Sequence, residues 1–349
     1  MTTNVSHLEL HFKRPAGTSR GVMQIKNSWI IKLTANNIEG IGEISVIEGL
    51  SPDYMDRASF ESTINEVCSR LEASEGNIAR GFEIAATLND FPSIKFGLET
   101  ALLDLQNGGK GIIFNNDFTK GIRKLPINGL VWMGDESFMK DQIAEKLADG
   151  YTTIKMKVGA IDIQTELSIL ASIRKQYSAN EITLRVDANG AFTPNQAPQF
   201  LKRLADLEIH SIEQPIKAGQ WEAMAELCHS TPTPIALDEE LIGINEIHQK
   251  IALLETIQPH YIILKPSLHG GISGTKEWIE LAEQKNIPWW MTSALESNIG
   301  LAAICQLTAE YQNNLPQGLG TGSLYMNNIE SDLIVENGFI RNSKLNSEF

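Results

Sequence analysis

Ile154-Lys-Met-Lys-Val158 opens a series of strand ends on which the fold turns. Val186-Asp187, Ile212-Glu213, Leu237-Asp238 and Leu264-Lys265 continue it. Each is a short β-rich run closed by a charged residue, and helical stretches such as 164–177, 196–207 and 271–285 lie between such runs. The step is regular: 30 residues from Lys157 to Asp187, then 26 to Glu213, 25 to Asp238, 27 to Lys265 and 28 to Ser293. A strand of about five residues, two loops and a helix of about 11–12 residues fill such a step. Outward from this stretch, further runs end at Val131-Trp132, Thr292-Ser293 and Leu319-Gly320. Eight strands alternating with helices in about 200 residues predict an α/β protein built on a (β/α)₈-type barrel over 121–323. An open doubly wound sheet is the alternative. It is disfavoured because no Gly-rich phosphate loop follows the first strand.

The flanks read differently. Residues 1–120 predict an α+β capping domain, with strand patterns over 5–12, 22–34 and 38–47 and helical spacing over 54–74 and 93–107. Between the first two strands, Arg14-Pro-Ala-Gly-Thr-Ser-Arg-Gly21 has the composition of a mobile loop. Residues 324–349 fall outside the repeat. Their runs Leu333-Ile-Val335 and Phe339-Ile340 predict short strands that return to the capping domain and complete it.

Bulk properties narrow the function. The formal net charge of −14 repels nucleic acid and anionic membrane surfaces, and no basic block offsets it. Cys68, Cys228 and Cys305 are odd in number and far apart, which argues against disulfides and against a structural zinc site. No apolar run approaches the ~18 residues of a membrane span, and the N-terminal residues lack a signal-peptide pattern. A cytoplasmic enzyme with a small-molecule partner is the expectation; the sequence leaves a homo-oligomer open.

In a (β/α)₈ barrel the C-terminal ends of the strands form the active-site rim. Three consecutive strands place Asp187, Glu213 and Asp238 there. One such acid is an ordinary helix cap. Three converging acids repel unless a positive group stands between them. A hard cation with oxygen ligands meets that need; Mg²⁺ fits, and Mn²⁺ suits the same donors. Lys155 and Lys157, two apart on one strand, share a face, and a neighbouring ammonium lowers a lysine's pKa toward that of a usable base. Lys265 ends the sixth strand, across the mouth. A carboxylate substrate held by the cation would have an acidified neighbouring C–H within reach of a lysine.

As an ordered set, Lys155-Met-Lys157, Val186-Asp-Ala-Asn-Gly190, Glu213-Gln-Pro215, Asp238-Glu239 and Lys265-Pro266 resemble the enolase superfamily, and within it the muconate-lactonizing-enzyme subgroup. The likeness covers nearly the whole chain. It implies Asp187, Glu213 and Asp238 as metal ligands, Lys157 as base, Lys155 as its electrostatic helper, and Lys265 as opposing cation or second base. It also implies that Asn189 and Glu239 orient the ligands. Within the subgroup, Thr292-Ser-Ala-Leu-Glu-Ser-Asn-Ile-Gly-Leu301 and Gln317-Gly-Leu-Gly-Thr-Gly322 resemble members that dehydrate a succinyl-substituted hydroxycyclohexadiene carboxylate, a carbon–oxygen lyase step of menaquinone biosynthesis. The substrate's second carboxylate would then meet Ser293, Gly320 and Thr321, with Arg20 closing over the site. The alternatives are a dipeptide epimerase, an N-acylamino-acid racemase, and an inactive barrel that binds a small molecule.

Overall fold

The alternation of apolar patterns along the chain is realised as a sheet-and-helix N-terminal part followed by βα units, in a computed structural model that describes residues 1–18, 21–132, 135–159 and 162–343. Strands β1 (Thr2–Thr18), β2 (Gly21–Ala35) and β3 (Ile38–Ser45) form an antiparallel sheet in the order β1-β2-β3. Its apolar face carries Trp29, Ile31, Leu33 and Ile44. That face packs on α1 (Arg57–Glu72), α2 (Ile78–Ala86) and α3 (Pro92–Gln106). The Asp56 side chain caps α1 by accepting from Ser59 N, and Asn77 caps α2 through Arg80 N.

Two features differ from expectation here. Part of the stretch expected as a mobile loop is strand: Ala16, Gly17 and Thr18 pair with Met23, Val22 and Gly21, and an irregularity between His11 and Ala16 absorbs the proline. Helix α2 has no counterpart among the predicted helices. It is only nine residues long, and its buried face of Gly81, Ile84 and Ala85 packs on α3.

After β4 (Leu125–Pro126) the repeat begins: β5 (Gly129–Val131), α4 (Glu136–Ala148), β6 (Thr153–Lys157), α5 (Ile163–Gln176), β7 (Thr183–Asp187), α6 (Ala197–Asp206), β8 (Ser211–Glu213), α7 (Trp221–Ser230), β9 (Ile235–Leu237), α8 (Ile247–Ile257), β10 (Tyr261–Leu264), α9 (Gly271–Gln284), β11 (Trp289–Met291) and α10 (Asn298–Ala309). Strands β5 to β11 form one parallel sheet in sequence order. Its strands are buried on both faces, as the near-continuous apolar runs require.

The eighth place is taken by two residues, not by a strand ending at Leu319-Gly320. Gln317 bridges to Ile127 and Gly318 to Thr292. Gln317 N donates to Pro126 O (2.8 Å) and Gly318 N to Met291 O (2.8 Å), so this seam joins the two edges of the sheet. A Cβ on Gly318 would stand 2.1 Å from Thr292 Oγ1, so only glycine permits this approach.

The N-terminal part sits over the barrel rim. Leu10, Phe12, Ala16 and Ile47 pack with Trp132, Leu268, Leu295 and Tyr325. Two buried acids tie the parts together. Glu43 accepts from Ser28 Oγ (2.8 Å), Ser297 N (2.8 Å), Ser297 Oγ (2.5 Å) and Gly300 N (2.9 Å). Glu99 accepts from Ile272 N (2.6 Å) and Ser273 Oγ (2.6 Å) at the start of α9.

The C-terminal segment divides. Tyr325 bridges to Phe12 and Met326 N donates to His11 O, so residues 325–327 join β1. The hairpin β12 (Leu333–Glu336) and β13 (Phe339–Asn342) pairs instead with β4. It lies against the barrel's first connection rather than on the β1–β3 sheet, because β4 offers it an open edge.

Candidate active site

Strand register sets the charged groups side by side. Lys157 pairs with Asp187, and Asp187 with Glu213, across β6, β7 and β8. Lys155 Nζ stands 2.8 Å from Asp187 Oδ2 and 2.5 Å from Glu213 Oε2. Lys157 Nζ donates to Asp187 Oδ2 (2.8 Å) and Asn189 Oδ1 (2.7 Å). Lys265 Nζ donates to Asp238 Oδ2. Asn189 takes a positive φ of 43°, which asparagine tolerates, and its Nδ2 donates to Glu239 Oε1 (2.8 Å). Asp187, Glu213 and Asp238 are buried.

The electrostatics separate the roles of the charged groups. Burial works against the charge on Lys155, but the Asp187 and Glu213 carboxylates outweigh it and hold its pKa above the ordinary lysine value. Lys155 is therefore a firm cation. Lys265 behaves alike: burial opposes its charge, and Asp238 and Glu239 overcome it. Burial also opposes ionisation of Asp187, yet Lys155 and Lys157 hold its carboxyl far below the usual range. Glu213 is undercompensated: burial and the neighbouring Asp187 charge push it well above the usual carboxylate range.

The lysines thus supply the positive charge that the three acids demand of one another, so mutual repulsion does not by itself require a metal. Among the described residues, no three carboxylate, imidazole or thiol groups stand as a ready-made cluster. The donor chemistry nevertheless fits a hard cation. Among the described residues Glu213 Oε1 and Asp238 Oδ1 are buried oxygens without a hydrogen-bond partner, and the lysines beside Glu213 do not offset its burial and the Asp187 charge. His269 adds no ligand: its Nδ1 accepts from Lys265 N (2.9 Å), and burial pulls its pKa down to about 3.

The lysines face a cavity of about 380 Å³. Lys155, Lys157, Lys265, Asn189 and Glu213 line one side. Met23, Ile47 and Leu50 from the N-terminal part, with Leu130, Trp132, Leu295 and Leu324, form apolar wall. Ser293, Gly320 and Thr321 line it too, but the Ser293 hydroxyl is occupied. It donates to Glu296 Oε2 (2.7 Å) and accepts from Leu295 N (2.8 Å). Arg20 lies outside the described residues. Asn128, Lys146 and Tyr151 also line the cavity and carry no sequence signal. Lys146 reads as the basic residue of a helix's last turn, and Tyr151 as a core aromatic.

Seven parallel strands with helices between them, and charged side chains gathered at their C-terminal ends, define a (β/α)-barrel of enzyme type. The chain belongs to the enolase superfamily: the family model described as "Enolase C-terminal domain-like" matches residues 139–345. Members of that superfamily are generally dependent on a divalent metal. The chain is 48% identical to the o-succinylbenzoate synthase of Desulfotalea psychrophila, over 95% of this chain and 96% of that one. It is 26% identical to the L-Ala-D/L-Glu epimerase of Bacillus subtilis, over 88% of this chain and 84% of that one. The crystal structure of MenC from Desulfotalea psychrophila superposes with a TM-score of 0.88 at 43% identity, covering 98% of this chain and 99% of that one. Muconate lactonizing enzyme from Pseudomonas putida shares the fold, with a TM-score of 0.81 at 20% identity over 97% and 93% of the two chains.

Proposed function

We propose that the protein is an o-succinylbenzoate synthase of menaquinone biosynthesis. It dehydrates 2-succinyl-6-hydroxy-2,4-cyclohexadiene-1-carboxylate to o-succinylbenzoate. The observation that carries this is the near full-length likeness to the Desulfotalea enzyme, joined to lysines on β6 and just after β10 that face one cavity. In this reading residues 1–120 cap the site and 121–323 form the catalytic barrel; of the segment 324–349, expected to return to the capping domain, Tyr325 and Met326 meet β1. Asp187, Glu213 and Asp238 would hold Mg²⁺, or Mn²⁺, through their carboxylate oxygens. A divalent cation there supplies an electrostatic sink for charge developing on the substrate's ring carboxylate.

The chain's own residues do the rest. Lys157, in its neutral form, takes the proton from the ring carbon beside the carboxylate, leaving an enediolate. Lys155 and Lys265, held as cations, stabilise that negative charge from two sides. Asn189 and Glu239 fix the position of Lys157 through the hydrogen bonds that join them. The C–O bond to the ring hydroxyl then breaks, and Lys157 returns its proton to that oxygen. Water leaves, the ring becomes aromatic, and Lys157 is neutral again. A syn elimination needs only this one base. The buried free cysteines fit a reducing compartment, and we place the enzyme in the cytoplasm.

An epimerase must hold its dipeptide's amine, and Gly318 to Ser323 contains no acid to do so. The test is direct. Protein, Mg²⁺ and the cyclohexadiene substrate are mixed and loss of diene absorbance is followed. Turnover is expected; none, with turnover of a dipeptide or an acylamino acid, overturns the assignment.

A further inference from the structure

Asn128, Lys146, Tyr151, Gly320 and Thr321 form an arm of the cavity lining that the proton-transfer chemistry leaves unused. From the room at Gly320 and the polar groups around it we infer that this arm holds the substrate's distal carboxylate, with Lys146, Tyr151 and Thr321 as donors. The inference rests on the dicarboxylate substrate proposed above and names residues to which that reading gives no role or only a general one.

Gly320 opens the arm. Its φ is −86°, which any residue adopts. A Cβ there would meet Ile127 Cδ1 at 3.4 Å, the Tyr151 hydroxyl at 3.6 Å and Asn128 O at 3.7 Å, all ordinary contacts. Neither backbone nor packing demands glycine, so its missing side chain leaves room beside the Tyr151 hydroxyl.

The polar groups around that room lack partners. Among the described residues Thr321 Oγ1 and Asn128 Oδ1 are buried without hydrogen bonds. A buried orphan costs about 1–3 kcal/mol unless a ligand satisfies it. The Asn128 amide can turn either end to a ligand. The Tyr151 hydroxyl donates to nothing among the described residues, and burial pushes its pKa up to about 12, so it keeps its proton. Lys146 Nζ lies 5.4 Å from the Tyr151 ring centroid. Its acidic neighbours Glu145 and Asp149 stand at 3.9 Å, beyond hydrogen-bond reach, so its three donors are available. One cation and two hydroxyl donors, in a cavity continuous with the catalytic lysines, form a receptor for a carboxylate. Ser293, by contrast, has already committed its proton to Glu296.

The test compares two ligands by calorimetry on the Mg²⁺-loaded full chain: o-succinylbenzoate, and 2-butanoylbenzoate, in which a methyl group replaces the distal carboxylate. Lys146→Met, Tyr151→Phe and Thr321→Val are each expected to weaken o-succinylbenzoate about 10-fold or more. Affinity for 2-butanoylbenzoate should stay within about twofold, and KM should rise with kcat retained. Unchanged o-succinylbenzoate affinity, or equal weakening of both ligands, overturns the inference. A wild-type protein that binds neither ligand but turns over another substrate fails the proposed function first, and the arm's assignment falls with it.

Discussion

The arc from β6 to β10 and the seam between β5 and β11 are two sides of one cavity built on opposite plans. Along the arc, charges are buried and paired: Lys155 with Asp187 and Glu213, Lys157 with Asp187, Lys265 with Asp238. At the seam, two residues do the work of a strand, and buried polar atoms at Thr321 and Asn128 have no partner. Pairing on the arc fixes reactive groups to within hydrogen-bond tolerance, which proton transfer needs. Both sides keep unmet oxygens, Glu213 Oε1 and Asp238 Oδ1 on the arc, Thr321 Oγ1 and Asn128 Oδ1 by the seam, but only the arc adds paired charges. On the function proposed above, chemistry falls to the regular part of the barrel and substrate choice to its irregular closure.

The largest effect expected is on the arc. Lys157→Ala should lower kcat by about 10²–10⁴-fold, the usual contribution of a general base, while the affinity for o-succinylbenzoate changes little and the melting temperature falls because Asp187 loses a buried partner. A variant with full turnover would remove the arc's claim to the chemistry. A smaller effect, on stability rather than rate, is expected at the seam. Gly318→Ala forces a Cβ against Thr292 Oγ1 and should cost about 1–3 kcal/mol, as overpacking does. Denaturant melts would measure it; a loss of activity with no loss of stability would show that the seam and the arc are not separable.

The smallest effect lies among the aromatic residues of the barrel strands. His210 Nδ1 is 2.9 Å from Ser211 Oγ, and its ring packs on Tyr261. Burial, with Arg185 adding to it, pulls the His210 pKa down to about 4 from the ordinary 6.5. As pH falls below 6.5 the unfolded chain binds this proton before the folded one. The stabilisation is therefore whole above 6.5, shrinks toward pH 4 and is flat below. After allowance for solvent screening of a partly exposed ring, roughly 1–2 kcal/mol is at stake. Melts of the wild type and His210→Gln between pH 8 and 4.5 should show the flatter profile in the variant; identical slopes would assign the acid sensitivity elsewhere.

What the sequence shows follows the same division. Lys155, Lys157, Asp187, Glu213, Asp238 and Lys265 are visible because a strand end at a fixed period is a local pattern, and the pattern implies convergence. The eighth strand was misplaced by two residues, since its bridges at Ile127 and Thr292 are long-range and leave no periodicity. Tyr151 and Lys146 were invisible because their meaning depends on the side chain absent at Gly320. Ser293 looked free because nothing in its neighbours announces that Glu296 accepts its proton. The hairpin of β12 and β13 was legible as strands but not as to partner, because edge pairing is decided in three dimensions.

The two-residue seam also bears on how the chain comes together. Strands β5 to β11 are added in sequence order, each beside the one before it, so their pairings close short loops. The contact between Ile127 and Gln317 spans nearly the entire barrel sequence, and loop closure over that span carries the largest entropic cost of any strand pairing in the ring. A chain arrested short of that contact would have its lysines and acids in register and no enclosed pocket beside them. Proton-transfer machinery would exist before anything could be bound, and the last turn of folding would be the one that makes the protein an enzyme.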